Sequence, residues 1–471
     1  MERKKTKIIC SIGPASVDPN VMEKMVNAGM NVARINFSHA TEEEKISVVS
    51  SVKEVRQRTG VNVAILYDTK GPDFRTGLAK EEGIHLKEGE LIRLVKEDIV
   101  GDEEKITVNY KEALDDIPVG SNILLEDGLM KLEVVSKELD GLTCKIIDGG
   151  LLKSRKGINV PGVKLNTPFL SAQDIEDIIY ACEHDGDFLA LSFVDEKEDV
   201  LKVRKLLSEH NREDMQIISK IESHTAIENL DEIIEVSDGI MVARGDLGVE
   251  VPLAELPLLQ KAMIRKCREK GKICIVATEM LASMYENARP TRAEVSDIAN
   301  AVLDGTDAVM LSGETTMGKH PINAVQYMAD ICLRAEEFYD YSRSFESKRE
   351  VDITETIAKG VVESAATLNV QAIVAATMTG YTARKISNLR PKTIILAACP
   401  SEKVACSLAI NFGVYPILLP VYETIDEVLN DAKEKASTYL HLQEEDLIII
   451  TGGFPNNKVK HTNFMKLEVI E

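Results

Sequence analysis

Residues 216–224, QIISKIESH, place Lys220 and Glu222 two apart in an otherwise apolar, strand-like run. Side chains at that spacing leave a strand on the same face. A cation beside a carboxylate there is either an internal ion pair or the polar floor of an active site. Comparable polar clusters close other apolar runs. Arg34, Asn36, Ser38 and His39 end one; Asp68, Thr69 and Lys70 a second; Arg244, Gly245 and Asp246 a third; Thr278 and Glu279 a fourth; Ser312 and Glu314 a fifth. Cations, carboxylates and hydroxyls in this mixture are what a metal-assisted phosphate site needs. Glu222 and Asp246 can converge on one hard cation, or they can cap helices and pair with arginines. Lys220 can stabilise a transferring group, or bridge to Glu222. Arg34 and Arg75 suit bidentate capture of phosphate oxygens, against the plainer reading of surface ion pairs.

The elements that must position these residues follow from periodicity. Eight short apolar runs alternate with amphipathic helical patterns: 7–13, 32–37, 63–68, 188–194, 216–222, 239–245, 273–279 and 308–314. That alternation predicts an α/β fold, a (β/α)₈ TIM barrel, whose active site is built where the strands end. A doubly wound open sheet is the runner-up. The pattern breaks from 71 to 168, where short β-like runs are separated by Gly and Asp turns; this reads as a small β-barrel lid inserted after the third strand. Beyond the charged stretch YSRSFESKRE a fresh α/β pattern begins. The predicted domains are 1–70 with 169–345, 71–168, and 346–471.

The bulk composition narrows the classes. Across 471 residues, 56 Lys and Arg stand against 77 Asp and Glu, a formal charge of −21, which argues against nucleic-acid or anionic-membrane binding. Eight scattered cysteines without a CxxC pair, after a basic N-terminus with no secretory leader, point to reduced thiols in the cytoplasm. No apolar run approaches the ~20 residues of a membrane helix. GETTMGKH (313–320) nearly matches a phosphate loop, but His320 stands where the magnesium-binding hydroxyl belongs. His39, His184 and His224 lack zinc-ligand spacing.

Longer strings are more specific. KIICSIGPAS, GMNVARINFSH, DTKGPDFRTG, IISKIESH, GIMVARGDLGVEVP and RPTRAEVSDIANAVLDGTDAVMLSGET resemble the pyruvate kinase family over nearly the whole chain. The resemblance implies a (β/α)₈ barrel with a mobile lid and a C-terminal α/β regulatory domain. It implies transfer of a phosphoryl group from phosphoenolpyruvate to ADP in glycolysis, with Mg²⁺ or Mn²⁺ and K⁺ as cofactors, in a homotetramer. Carried over by position, Lys220, Thr278 and Arg34 are catalytic. Arg34, Lys220, Gly245, Asp246 and Thr278 contact substrate, and Glu222 and Asp246 hold the divalent ion. Asn36, Ser38, Asp68 and Thr69 form the K⁺ cage; Asn36, His39, Arg75 and Lys156 meet the nucleotide. On this reading Lys220 and Glu222 are separate grips on one bound complex rather than partners of each other.

Departures carry expectations of their own. Asp73 stands where the family usually has Glu, followed by Phe74; an acid there goes with K⁺ activation. Glu279 replaces Gln beside Thr278 and Ala282 replaces Glu, so a new negative charge flanks the expected pocket. Asp195 stands at a commonly basic position and is expected to alter a packing pair. In the C-terminal domain Thr377, Thr379, Gly380 and Thr382 suit a phosphorylated effector. GGFPNNK (452–458) lacks the Trp and Arg that go with fructose 1,6-bisphosphate, which puts AMP or another sugar phosphate on an equal footing with it, beside a pocket that has lost its ligand. Two alternatives stand beside an active enzyme: another Mg²⁺-and-enolate barrel such as a pyruvate-dependent aldolase, and a catalytically silent paralogue.

Overall fold

The computed structural model describes residues 3–38, 40–341, 352–454 and 461–471. Eight parallel strands close into a barrel: Lys7–Ser11, Val32–Asn36, Ala64–Asp68, Phe188–Leu191, Gln216–Ile221, Gly239–Ala243, Ile273–Ala277 and Ala308–Leu311. Several stop short of their apolar runs; the fourth ends at Leu191, not Val194, and the eighth at Leu311, not Glu314. The polar residues beyond them therefore sit on turns or first helical turns at the barrel mouth.

Sequence chemistry sets where the helices begin. Thr41, Ser171 and Thr291 each close a capping box with an acid three residues on, and Gly60, Gly271 and Gly305 end helices in the left-handed conformation. Pro19 and Pro321 occupy first-turn positions, where a missing N–H is harmless.

Strand alternation sorts the side chains into two layers. Ile217 and Ile221 pack outward against the helices, whereas Ile218 joins Ile9, Val32, Leu66, Ala190, Met241 and Ile275 in the barrel interior. Two residues further along five of these strands the same inward face becomes polar, at Ser11, Arg34, Asp68, Ser192 and Lys220, while Ala243 and Ala277 keep it small and apolar on the other two. The register sets Asn36 beside Asp68 and Leu191 beside Ser219, so these residues come from neighbouring strands.

The inserted segment is all β apart from a 3₁₀ turn at Lys111–Asp115. A six-stranded sheet and a two-stranded sheet surround a separate core that includes Ile92, Leu94, Leu132 and Cys144. Asn159 Nδ2 of this segment donates to Glu250 Oε1 of the barrel at 3.1 Å.

At the opposite end, Cys406, Ala409 and Ile410 of the C-terminal region join the interior barrel cluster and plug its floor. Beside them Arg390, fully buried, donates from both Nη atoms to Asp307 at 2.8 Å. The C-terminal sheet runs Val414–Leu418, Ile395–Cys399, Ala372–Ala376, Leu447–Gly452, then an antiparallel edge strand, Phe464–Val469. That edge strand escaped the sequence reading, because its alternation is weak and it follows a polar loop. No helix among the described residues is long and apolar enough to cross a membrane.

Candidate active site

Arg34 is held before any ligand arrives. Its Nε donates to Asp68 Oδ2 at 2.7 Å, Nη2 lies 2.6 Å from the same oxygen, and Nη1 donates to Ser11 Oγ at 2.7 Å. Burial pushes the Asp68 carboxyl up, but Arg34 and Lys220 outweigh it and hold the group below the usual carboxylate range.

Lys220 Nζ sits 2.7 Å from Glu222 Oε1, 2.7 Å from Ser192 Oγ and 3.5 Å from Asp68 Oδ1. Lys220 and Glu222 are therefore direct partners. Spacing along one strand puts both on one face, and the narrow barrel mouth brings their ends together, so the two residues expected to grip one bound complex separately also contact each other. Burial pulls the lysine down, yet three carboxylates (Asp68, Glu222 and Asp246) raise it above its ordinary value. Glu222 moves upward as well, because burial and the Asp246 carboxylate exceed what one shared lysine returns. Two cations, Arg34 and Lys220, thus face three acids, Asp68, Glu222 and Asp246. The site is one positive charge short, and its surplus lies on the Glu222–Asp246 side.

That surplus fits a hard divalent ion, which takes one or two carboxylates plus substrate oxygens and water. Glu222 Oε2 accepts from Phe193 N at 2.7 Å, leaving Oε1 facing Lys220. Asp246 lies in the first turn of the helix Arg244–Glu250, on the rim of the same cleft. No group of three or more His, Cys, Asp or Glu side chains suited to a metal occurs among the described residues. The two carboxylates need oxygens from elsewhere.

The end of the seventh strand is backbone-strained. Thr278 and Glu279 have φ of 66° and 54°, unfavourable above all for a β-branched residue. Arg244 holds this turn: Nη2 donates to Thr278 O at 2.6 Å, Nε reaches Ala277 O and Thr278 O at 3.2 Å, and Nη1 meets Asp297 Oδ2 at 2.6 Å. Gly245 N donates to Thr278 Oγ1 at 2.8 Å. Glu279 is exposed, pointing its extra charge toward water.

The four residues expected to cage a monovalent ion lie at the ends of the second and third strands. Asn36 Oδ1 accepts from Ser38 N at 3.1 Å, and the Thr69 carbonyl accepts from Ser192 Oγ at 2.7 Å. An all-oxygen set of amide, hydroxyl, carboxylate and carbonyl suits a hard cation of low charge. Asp73 forms a short ion pair with Arg75, so the shorter acid is spent on the neighbouring arginine. Lys156 Nζ likewise meets Glu126 Oε1 at 2.5 Å. Arg34, Asn36, Ser38, Arg75, Lys156, Lys220, Glu222 and Asp246 all line one cleft of about 390 Å³ between barrel mouth and lid. His39 lies outside the described residues.

Ser11, Ser192 and a neighbouring cavity escaped the sequence reading. Ser192 and Ser11 belong to the polar inward face, and strict two-residue alternation beyond Ala190 and Ile9 would have found them. A second, more apolar cavity of about 600 Å³ adjoins the cleft, shares Arg34 and Asn36 with it, and is walled by Pro14, Val17 and Val48. Asp195 accepts a short hydrogen bond from Ser223 Oγ, and burial raises its carboxyl, which makes it a packing partner as expected. The phosphate-loop lookalike is a short helix, Gly313–Thr316, whose Glu314 accepts from Leu281 N at 3.0 Å and Ser312 N at 2.8 Å. Thr377, Thr379 and Thr382 do come together around Gly380. The described residues there enclose only about 50 Å³, and Thr382 Oγ1 is 2.8 Å from Thr462 Oγ1.

Fold and site together define a (β/α)₈-barrel phosphotransferase, with a cation-and-acid mouth roofed by a β lid. Residues 3–325 match the model of the pyruvate kinase barrel domain, and residues 355–468 that of the pyruvate kinase alpha/beta domain. The chain is 45% identical to a pyruvate kinase of Geobacillus stearothermophilus, over 99% of this chain and 81% of that one. It is 43% identical to a pyruvate kinase of Clostridium acetobutylicum, over 99% and 100%. A crystal structure of a pyruvate kinase from Cryptosporidium parvum has the same fold, with a TM-score of 0.95 at 36% identity over 99% of this chain and 96% of that one. The chain belongs to the pyruvate kinase family.

Proposed function

We propose that this enzyme moves the phosphoryl group of phosphoenolpyruvate to ADP, giving ATP and pyruvate in glycolysis. The observation that carries the reading is Lys220, charged and half-buried among Ser192, Glu222 and Asp68 at the mouth of the barrel. The bond from phosphorus to the enol oxygen breaks and one from phosphorus to a terminal ADP oxygen forms. Charge then spreads over the transferring group and must be met by fixed cations. Lys220 and Arg34 supply them without reorganising, since both are already held by hydrogen bonds. The enolate left behind takes a proton at carbon, and Thr278, pinned in its strained turn, is assigned to the relay that delivers it.

Glu222 and Asp246 would hold Mg²⁺ or Mn²⁺, which when bound supplies further positive charge at the phosphoryl and carboxylate oxygens. Asn36, Ser38, Asp68 and Thr69 would hold K⁺. Backbone around Gly245 and Asp246 suits the substrate carboxylate. Asn36, His39, Arg75 and Lys156 are assigned to the phosphates of ADP, and the adjoining apolar cavity suits its base. Arg75 and Lys156 reach those phosphates by exchanging Asp73 and Glu126 for them, and a closing lid excludes water.

Several further readings belong here. The domains are 1–70 with 169–345, 71–168 and 346–471. The working form is a cytoplasmic homotetramer. Thr377, Thr379, Gly380 and Thr382 receive a phosphorylated effector. The assay that tests the activity is pyruvate formation from phosphoenolpyruvate and ADP with Mg²⁺ and K⁺; no turnover with any divalent ion would overturn it.

A further inference from the structure

Ser192 is 3% exposed and makes three contacts through one hydroxyl. Lys220 Nζ donates to its Oγ at 2.7 Å, and the Oγ in turn donates to the Thr69 carbonyl at 2.7 Å, with Asp68 Oδ1 at a longer 3.4 Å. A hydroxyl has one proton and two lone pairs, so this arrangement fixes its orientation: it accepts from the lysine and donates to Thr69. The backbone is equally committed. Ser192 N donates to Thr69 Oγ1 at 3.2 Å, and Phe193, at φ 54°, turns its N–H onto Glu222 Oε2 at 2.7 Å. The Ser192–Phe193 pair thus grips both members of the Lys220–Glu222 ion pair. Gly71 of the third-strand loop packs close against the same residue: a Cβ there would come within 3.0 Å of Ser192 O and 3.1 Å of Ser192 Cβ.

A lysine ammonium rides on a flexible four-carbon stem and does not place itself. Glu222, at 2.7 Å and itself held by Phe193 N, fixes one side of the ammonium, and Asp68 attracts it from 3.5 Å. The Ser192 hydroxyl adds a directional bond from a second side and passes its own proton to the Thr69 carbonyl, backbone that belongs to the proposed cation cage. We infer that Ser192 is a positioning residue for Lys220, coupling the ammonium that meets the phosphoryl group to the Thr69 carbonyl lining the K⁺ site. The inference rests on the phosphoryl-transfer reading of Lys220.

The test uses the full chain with Ser192→Ala and Ser192→Thr. Turnover is measured with Mg²⁺ in K⁺ and in tetramethylammonium at equal ionic strength, and melting is followed with and without K⁺ in the absence of substrates. For Ser192→Ala, kcat is expected to fall about 30- to 100-fold, the scale of an ångström of misplacement, with KM for phosphoenolpyruvate held within about threefold. Activation by K⁺ should shrink to under about a third of the wild-type ratio while the K⁺-induced rise in Tm persists, showing a cage still occupied but disconnected. Ser192→Thr, keeping the hydroxyl, should return kcat to within about fivefold of wild type. The inference is overturned by wild-type kcat in the Ala variant, by an unchanged K⁺ activation ratio, or by loss of the K⁺-induced Tm rise, which marks a collapsed cage. A folded Thr variant as impaired as Ala also overturns it; should Thr not fold, Ala alone decides. Wild-type protein that fails to turn over sinks the phosphoryl-transfer reading itself, a result distinct from an active wild type with an unimpaired Ala variant.

Discussion

At the floor of the barrel Arg390 meets Asp307 through two parallel bonds, and Asp307 also accepts from Cys274 N at 3.0 Å while Arg390 Nη2 reaches Gly305 O at 3.0 Å. At the mouth Lys220 is shared among Glu222, Asp68 and Ser192, and Asp246 adds a third acid. Both clusters are built on ion pairs; the floor pair is fully buried, whereas Lys220 and Asp246 at the mouth are half-buried. The floor matches one cation to one anion, in fork geometry, between segments 83 residues apart. The mouth leaves charge uncompensated and opens onto a cleft. A balanced pair has nothing further to bind and serves to join two parts of the chain; an unbalanced cluster holds its residues in place and still calls for a ligand.

Four measurements break or sharpen this contrast. Lys220→Met should lower turnover by about 10³-fold or more, the scale of removing a fixed cation from phosphoryl transfer. Its thermal unfolding should change little, because Glu222 can take up a proton instead; near-normal turnover would end the distinction between the two clusters. Arg390→Met leaves Asp307 buried without a counterion and should cost about 3–5 kcal/mol of stability by urea titration. Its kcat per folded molecule should stay near wild type at low temperature, and a selective loss of activity instead would show that the floor is not merely structural.

Replacing K⁺ by tetramethylammonium at constant ionic strength should reduce activity several-fold. An unchanged rate would show that Asp73, committed to Arg75, no longer marks K⁺ dependence.

The smallest effect concerns pH. Glu222 binds its proton more tightly folded than unfolded, because burial and Asp246 raise it. Folding stability from this group is therefore present at and below the usual glutamate range, and is lost as pH rises through its elevated folded value. Mg²⁺ or Mn²⁺ alone should remove that decline by replacing the proton, with proton release on binding measurable by calorimetry in different buffers. Glu222→Gln should lack both signals. A metal-independent pH profile would mean that the surplus charge lies elsewhere.

Much of this was legible in the sequence, and the illegible part has a common cause. Strand period located all eight barrel strands, the β insertion, and four of the five C-terminal strands. It also brought Arg34, Asp68, Lys220 and Glu222 to one mouth, because inward alternation is a local property. Which acid takes which cation is not local. Lys220 with Glu222, Asp73 with Arg75 and Glu126 with Lys156 are settled by how loops and lid approach in space. Arg390 with Asp307 joins parts of the chain that no periodicity connects. Ser192 was hidden differently: it follows the apolar FLAL, and a run taken as strand to Val194 makes its hydroxyl look incidental.

The plug of Cys406, Ala409 and Ile410 in the barrel floor bears on how this molecule can be cut or recombined. A catalytic barrel severed from its C-terminal partner would open its lower end to water at Ile9, Val32, Phe188 and Ile273, which share one apolar cluster with the plug. Grafting the barrel onto a foreign regulatory module would therefore require a replacement stopper of matching apolar shape. The C-terminal region is a component of the barrel's own interior, and inheritance or engineering must carry the two together.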